Sequence, residues 1–291
     1  MHKHAVALPS SSSNLPSYLF LALCVLNTAA IAWLAAREAF GWLAAVPLMV
    51  VQALLMIGVQ EIKHQGVHRQ FLVGTRLNDA VGVLAAAIFA ANFVGYRYFH
   101  LEHHRKTCQI DDPEGLMYQQ TWPTRLICLL GAAEQLWVSI STNRISRHYL
   151  PSHAVWRWRW NNALIVVFVA ALVFGIHEAP RQVICAYVLP YCLFSWLDFW
   201  LTQAEHYGVS ISTEGPRRAP AEITTDVYLP SVVSWLVLHR SLHRTHHHAP
   251  ATRWFHALSQ SRALTRNKPG GVTDLPTFVT TWMQLGPRLW K

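Results

Sequence analysis

Residues 40–68 read FGWLAAVPLMVVQALLMIGVQEIKHQGVH, and this stretch decides the fold. Phe40–Val59 carries no charge and has the roughly 20 apolar residues that a bilayer-spanning helix needs. The stretch then turns polar through Gln60-Glu61-Ile62-Lys63 and closes on His64-Gln65-Gly66-Val67-His68, an HxxxH pair. A span that delivers two histidines just past its apolar end predicts chemistry at a membrane surface.

Working outward, the same apolar character recurs three times. Leu15–Ala36 is uncharged, Ala163–Ile176 follows Asn161-Asn162, and Val183–Leu201 carries only Asp198 near its end. The spans are therefore expected at about 15–36, 40–59, 163–176 and 183–201, in one membrane domain covering 1–291, with a polar tail at 1–14. The first run is too long and too weakly preceded by basic residues for a secretory leader, and reads as a retained anchor. Composition agrees: 52% of the 291 residues are hydrophobic and 13% charged, about half the charge of a soluble domain. Short turns, Arg37–Ala39 and His177–Gln182, join the spans into two hairpins, giving an all-α integral membrane fold.

Lys and Arg set the expected orientation. Residues 60–160 hold 11 of them and residues 202–291 hold 10, whereas each short turn holds one, Arg37 or Arg181. The positive-inside rule puts both large segments and both termini in the cytoplasm. Trp156, Trp158 and Trp160, alternating with Arg157 and Arg159, read as an interfacial belt. The net charge of +9 then belongs to loops facing anionic lipid, and no nucleic-acid partner is expected. Five scattered cysteines, none in a CxxC, read as buried reduced thiols. Ala80–Tyr96 is a fifth apolar run. If it crossed, it would separate the histidines on its two sides, so it is expected to be interfacial or re-entrant.

Seventeen histidines concentrate at the span ends. After HxxxH come His100-Leu101-Glu102-His103-His104, then Glu205-His206, then His243-Arg244-Thr245-His246-His247. Helical neighbours three or four residues apart share a face, so each box is expected to aim two or three imidazoles at one point. Imidazole is a neutral nitrogen ligand for iron, zinc, copper or nickel. Of three consecutive histidines ending in His248, at most two can face one site. Glu61, Glu102, Glu205 and Asp198 stand beside the boxes and are expected to orient ligand rings through hydrogen bonds. Asp111-Asp112-Pro113 reads as a turn beside the second box.

Box order and spacing resemble the membrane fatty acid desaturase, hydroxylase and carotenoid ketolase superfamily. Arg97-Tyr98-Phe99-His100 through His104, with Arg105, Thr107 and Asp112-Pro113-Glu114, is most similar to a bacterial desaturase. Glu205-His206-Tyr207-Gly208 resembles the family's extra histidine after the fourth span. The resemblance implies two hairpins carrying a cytoplasmic helical cap, in a bacterial inner membrane. It also implies nine metal ligands: His64, His68, His100, His103, His104, His206, His243, His246 and His247. They would hold two iron ions, with O2 as co-substrate. His239 departs from the pattern, standing where many relatives carry asparagine. Four residues before His243, it would share that residue's helical face; it reads first as a surface histidine and second as a further ligand or a hydrogen-bond partner to one.

The implied reaction is oxidation of an unactivated lipid C–H bond, with fatty-acyl desaturation first. Hydroxylation, carotenoid ketolation and oxidative decarboxylation remain open, because the boxes hold metals and do not choose the product. The substrate is expected as an acyl-lipid, acyl-CoA or acyl carrier protein thioester. These residues hold no flavin, haem or ferredoxin motif, so a separate donor of ferredoxin or rubredoxin type is expected. The competing class is a histidine-rich membrane metal carrier. It would place ligands near the membrane midplane rather than at span ends. No glycine-rich phosphate loop or GxSxG elbow supports nucleotide or hydrolase chemistry.

Overall fold

A computed structural model describes residues 13–37, 41–115, 124–212 and 219–286. Most of the polar tail with His2 and His4, the middle of the first turn, and the Cys128 side chain lie outside the described residues. The chain is mostly helical. Leu15–Ala35 forms α1, Gly41–Val67 α2, Thr75–Ala87 α3, Phe93–Lys106 α4 and Thr124–Ile145 α5. Val155–Glu178 forms α6 and Pro180–Glu205 α7. Ser231–Leu236 is α8, His243–His248 α9, Ala257–Asn267 α10 and Leu275–Leu285 α11. A two-stranded parallel sheet pairs β1, Asp226–Tyr228, with β2, Val272–Asp274.

Helices α1, α2, α6 with the turn before it, and α7 are long and apolar enough to cross a membrane. Their surfaces agree. Val25 and Leu26 on α1 and Val166, Val167, Val173 and Phe174 on α6 are more than 60% exposed, which suits lipid and not water. Helix α5 is likewise inverted relative to a soluble helix. Leu136, Trp137 and Ile140 face outward, while Gln135, Ser139 and Thr142 are buried. Trp156 and Trp160 stand exposed at the start of α6.

The helices outrun the apolar windows that announce them. Helix α2 has 27 residues, a rise of about 40 Å, roughly 10 Å more than a hydrocarbon core. Its last turns carry Glu61 and His64 beyond the apolar run. Helix α6 starts eight residues before Ala163, and α7 runs four past Leu201. A π-helical turn at Ile184–Val188 interrupts α7 just before Pro190. The expected second turn contracts to a break at Ala179.

The Ala80–Tyr96 run divides between two helices. Helix α3 ends at Ala87, Ala90 adopts a left-handed φ of 53°, and α4 starts at Phe93. Asparagines satisfy the backbone freed by this break. Asn143 accepts from Asn92 N and donates to Ala90 O, and Asn161 Oδ1 accepts from Phe93 N at 2.7 Å. Asn92 caps α4 by accepting from Gly95 N, and donates to Asn162 Oδ1 and Trp158 O. Apolar surroundings tolerate an interrupted helix only with such internal partners. Gly82 permits the fold-back, since a Cβ there would lie 2.6 Å from the Phe93 ring. His64 and His100 thereby meet at one end of α2, as the sequence requires.

Candidate metal centre

Helices α2, α4 and α9 and the end of α7 bring the nine histidines together in two groups. The first holds His64, His68, His100, His104 and His246, and the second His103, His206, His243 and His247. Within each group, one ligand atom per residue lies within 4.8 Å of every other. Helical register explains the division. Pairs four apart stay together: His64 with His68, His100 with His104, His243 with His247. The remaining member of each HxxHH box, His103 or His246, points into the other group. Each HxxHH box therefore divides two to one, while both histidines of HxxxH stay in the first group, within the two or three imidazoles per point expected of a box. His248 is exposed, because its helix turns it away.

Ring orientation is fixed from behind. His64 Nδ1 donates to Glu61 Oε2 at 2.9 Å, and His100 Nδ1 to Glu114 Oε1 at 2.9 Å. His103 Nδ1 lies 2.9 and 3.0 Å from the two Asp112 oxygens. His206 Nδ1 donates to Ile223 O at 2.6 Å. Each bond keeps the proton on Nδ1 and turns the Nε2 lone pair inward, the arrangement metal-bound histidines adopt.

A count of protons tests whether these residues fit a metal. In the first group, His100, His104, His246 and His64 form a chain of Nε2 contacts at 3.0, 2.9 and 2.9 Å. The two end rings carry their protons on Nδ1, so only His104 and His246 can donate. Two N–H groups cannot satisfy three contacts without setting like atoms against each other. His68 Nε2 is also buried without a hydrogen-bond partner. Converging lone pairs of this kind fit a cation. With metal–nitrogen bonds of about 2.1 Å, neighbours 90° apart sit about 3.0 Å from each other, and tetrahedral neighbours about 3.4 Å. In the second group, the 3.1 Å separation of His206 and His243 lies nearer the former, and the 3.2 Å of His103 and His247 lies between the two.

Burial, reinforced by neighbouring imidazoles, keeps the centre unprotonated. His68 and His206 are pushed down to about 3, and His100, His243, His246 and His247 fall well below the usual histidine range. Neutral imidazole is the ligand form. Burial raises the Glu114 carboxyl.

The flanking acids divide. Glu61 bonds its ring as expected. Glu205 lies 3.7 Å from His243 Nδ1 and pairs with Arg240, while Asp198 meets Arg240 Nε at 3.8 Å and no histidine. Glu102 is corrected: it faces away from the centre and pairs with Arg105 and Lys106 at 3.3 and 3.0 Å. His239 shares no helix with His243. It sits in a left-handed turn at φ 59°, with Nδ1 2.7 Å from Ser234 Oγ, and lines a small cavity beside His64, His243 and His246. Cys24, Cys108, Cys185 and Cys192 are thiols, Cys108 Sγ lying 3.6 Å from His206 Nδ1, but Cys192 is exposed rather than buried.

Sequence reading misses four supporting residues. Asp112 and Glu114 orient rings of both groups. Their proximity to the second box is a usable signal, but the sequence reading takes Asp111-Asp112-Pro113 as a turn and gives Glu114 no role in the site. Arg240 gathers Glu61, Asp198 and Glu205 from two helices. Asp226 on β1 accepts from Thr245 N, Thr245 Oγ1 and Ser261 Oγ at 2.9, 2.6 and 2.6 Å, and so seats α9.

Long apolar helices ending at a buried histidine cluster define a membrane protein with a site able to hold metal. A family model described as fatty acid desaturase matches residues 40–271, and the chain belongs to that family. It is accordingly a desaturase- or hydroxylase-type oxidoreductase. No curated protein matches the chain.

Proposed function

We propose that this protein is an O2-dependent di-iron oxidoreductase that oxidises an unactivated lipid C–H bond, with fatty-acyl desaturation the favoured outcome. The observation that carries this reading is the division of nine histidines into groups of five and four in a chain of the desaturase family. A catalytic zinc uses about three protein ligands and a structural zinc four, so nine converging imidazoles favour two ions of a metal that accepts more. Two ferrous irons held there, with O2, supply an oxidant able to take hydrogen from a strong C–H bond. The protein's own part is positional. Glu61, Glu114, Asp112 and the Ile223 carbonyl lock the rings, and burial excludes water.

Hydroxylation, ketolation and decarboxylation share this machinery and differ in where the substrate carbon rests. The reading includes two hairpins, formed by α1 with α2 and α6 with α7, under a cytoplasmic cap in a bacterial inner membrane. Its partners are an acyl-lipid, acyl-CoA or acyl carrier protein substrate and a separate ferredoxin- or rubredoxin-type donor. Metal analysis of protein purified in detergent, coupled to lipid profiling of cells with and without the gene, tests it. Two irons per chain and a gene-dependent oxidised lipid are expected. A single zinc with an unchanged lipid profile refutes the reading.

A further inference from the structure

A cavity of about 50 Å³ lies against both histidine groups, touching His64 and His100 of the first and His243 of the second. An alkyl chain calls for apolar walls, but most of the side chains lining this cavity are polar. Three wall oxygens are buried without a hydrogen-bond partner: Gln60 Oε1, Glu134 Oε1 and Asp198 Oδ1. Gln60 and Asp198 are only 7% and 3% exposed. All three atoms are acceptors, and they come from three different helices. Buried acceptors normally find donors, so three on one cavity point to a ligand that brings N–H or O–H groups.

The wall's own cations form no hydrogen bond to these three oxygens. Arg240 is ion-paired with Glu205 and lies 3.9 and 3.8 Å from Glu61 and Asp198. Lys63 sits over the Tyr96 ring, with Nζ 4.0 Å from its centroid. A carboxylate entering this cavity would set its own lone pairs against those of these oxygens. A donor would meet partners.

We propose that the cavity binds a hydrogen-bond-donating group of the substrate, an ammonium or a hydroxyl, and that the oxidised carbon lies within a few bonds of it. The proposal rests on the oxidase reading and narrows its substrate class. The preferred lipid carries an amine or hydroxyl near the reacting carbon, in place of an unsubstituted chain oxidised far from its head.

Equilibrium binding of radiolabelled dodecylamine, 1-dodecanol and laurate to the iron-containing protein in detergent at pH 7 tests it. Dodecylamine or dodecanol should bind more tightly than laurate, and the tighter of the two identifies ammonium or hydroxyl. Glu134→Gln and Asp198→Asn should each weaken the donor ligand by about tenfold and leave laurate unchanged. Elution volume and iron content matching the wild type certify each variant. If neither variant folds, the ligand order on the wild type decides. Laurate binding tightest, or donor binding unchanged in a folded variant, overturns the proposal. Iron content and O2-dependent oxidation by the same preparations separate the two readings. Donor binding without iron or oxidation refutes the oxidase and spares the cavity, and oxidation without donor preference does the reverse.

Discussion

At the residue scale, the histidines depend on what stands behind them. Asp112 bonds His103 through both oxygens and also accepts from Cys108 N and Glu114 N at 2.8 and 3.0 Å. Asp112→Asn keeps one acceptor but sets an NH2 against a donor. Iron affinity, followed by dialysis against a graded chelator, should fall about 10- to 100-fold. Glu102→Gln, which touches no ring, should leave it unchanged; equal losses would dissolve the distinction between the two acids. A pH effect follows from the same burial. His68 and His206 sit near 3 when folded and near 6.5 when unfolded, so the unfolded chain binds more protons between those values. Their contribution to stability is complete above about pH 6.5 and declines as pH falls towards 3. Thermal unfolding in detergent should therefore move to lower temperature from pH 7 to pH 5. His206→Gln should flatten that slope, and an unaltered slope would remove His206 from the account.

At the element scale, the break between α3 and α4 lets α2 and α4 present histidines to one centre. Asn161 serves two donors there, Phe93 N at 2.7 Å and Val94 N at 3.4 Å. Asn161→Leu leaves both N–H groups buried without their partner, at a cost of about 1–3 kcal/mol. Unfolding in detergent should show that loss. Iron content should fall with it, since α4 carries three of the nine histidines; wild-type stability would mean that the break is held by something else. This element also marks the limit of what the sequence told. The long apolar helices and the boxes were legible because spans and i, i+4 spacing are local patterns. The need for His64 and His100 to meet even indicated that Ala80–Tyr96 does not cross. What stops it was not legible, because Asn143, Asn161 and Asn162 act from 50 to 70 residues away. Arg240 and Asp226 were hidden for the same reason, as their partners come from other elements. The two-to-one division of each HxxHH box, in contrast, was present in the local register.

At the scale of the whole molecule, the two apolar helix pairs should share one orientation, because α2 and α7 both end at the histidine centre. If α1–α2 and α6–α7 each cross and return, Arg105 beside the centre and His177 at the far end of α6 lie on opposite faces of the membrane. Both side chains are open to reagent, 73% and 83% exposed. Single cysteines placed there on a cysteine-free background, Arg105→Cys and His177→Cys, can be labelled with a membrane-impermeant maleimide. The proposed orientation, for which the excess of Lys and Arg in residues 60–160 and 202–291 argues, has the centre on the cytoplasmic side. His177→Cys should therefore react in intact spheroplasts, and Arg105→Cys only after the membrane is opened. Reversed accessibility would keep the crossings and invert the orientation. Labelling of both positions from outside would mean that α6 and α7 do not cross, and that the exposed apolar surface of α6 is covered by something other than lipid.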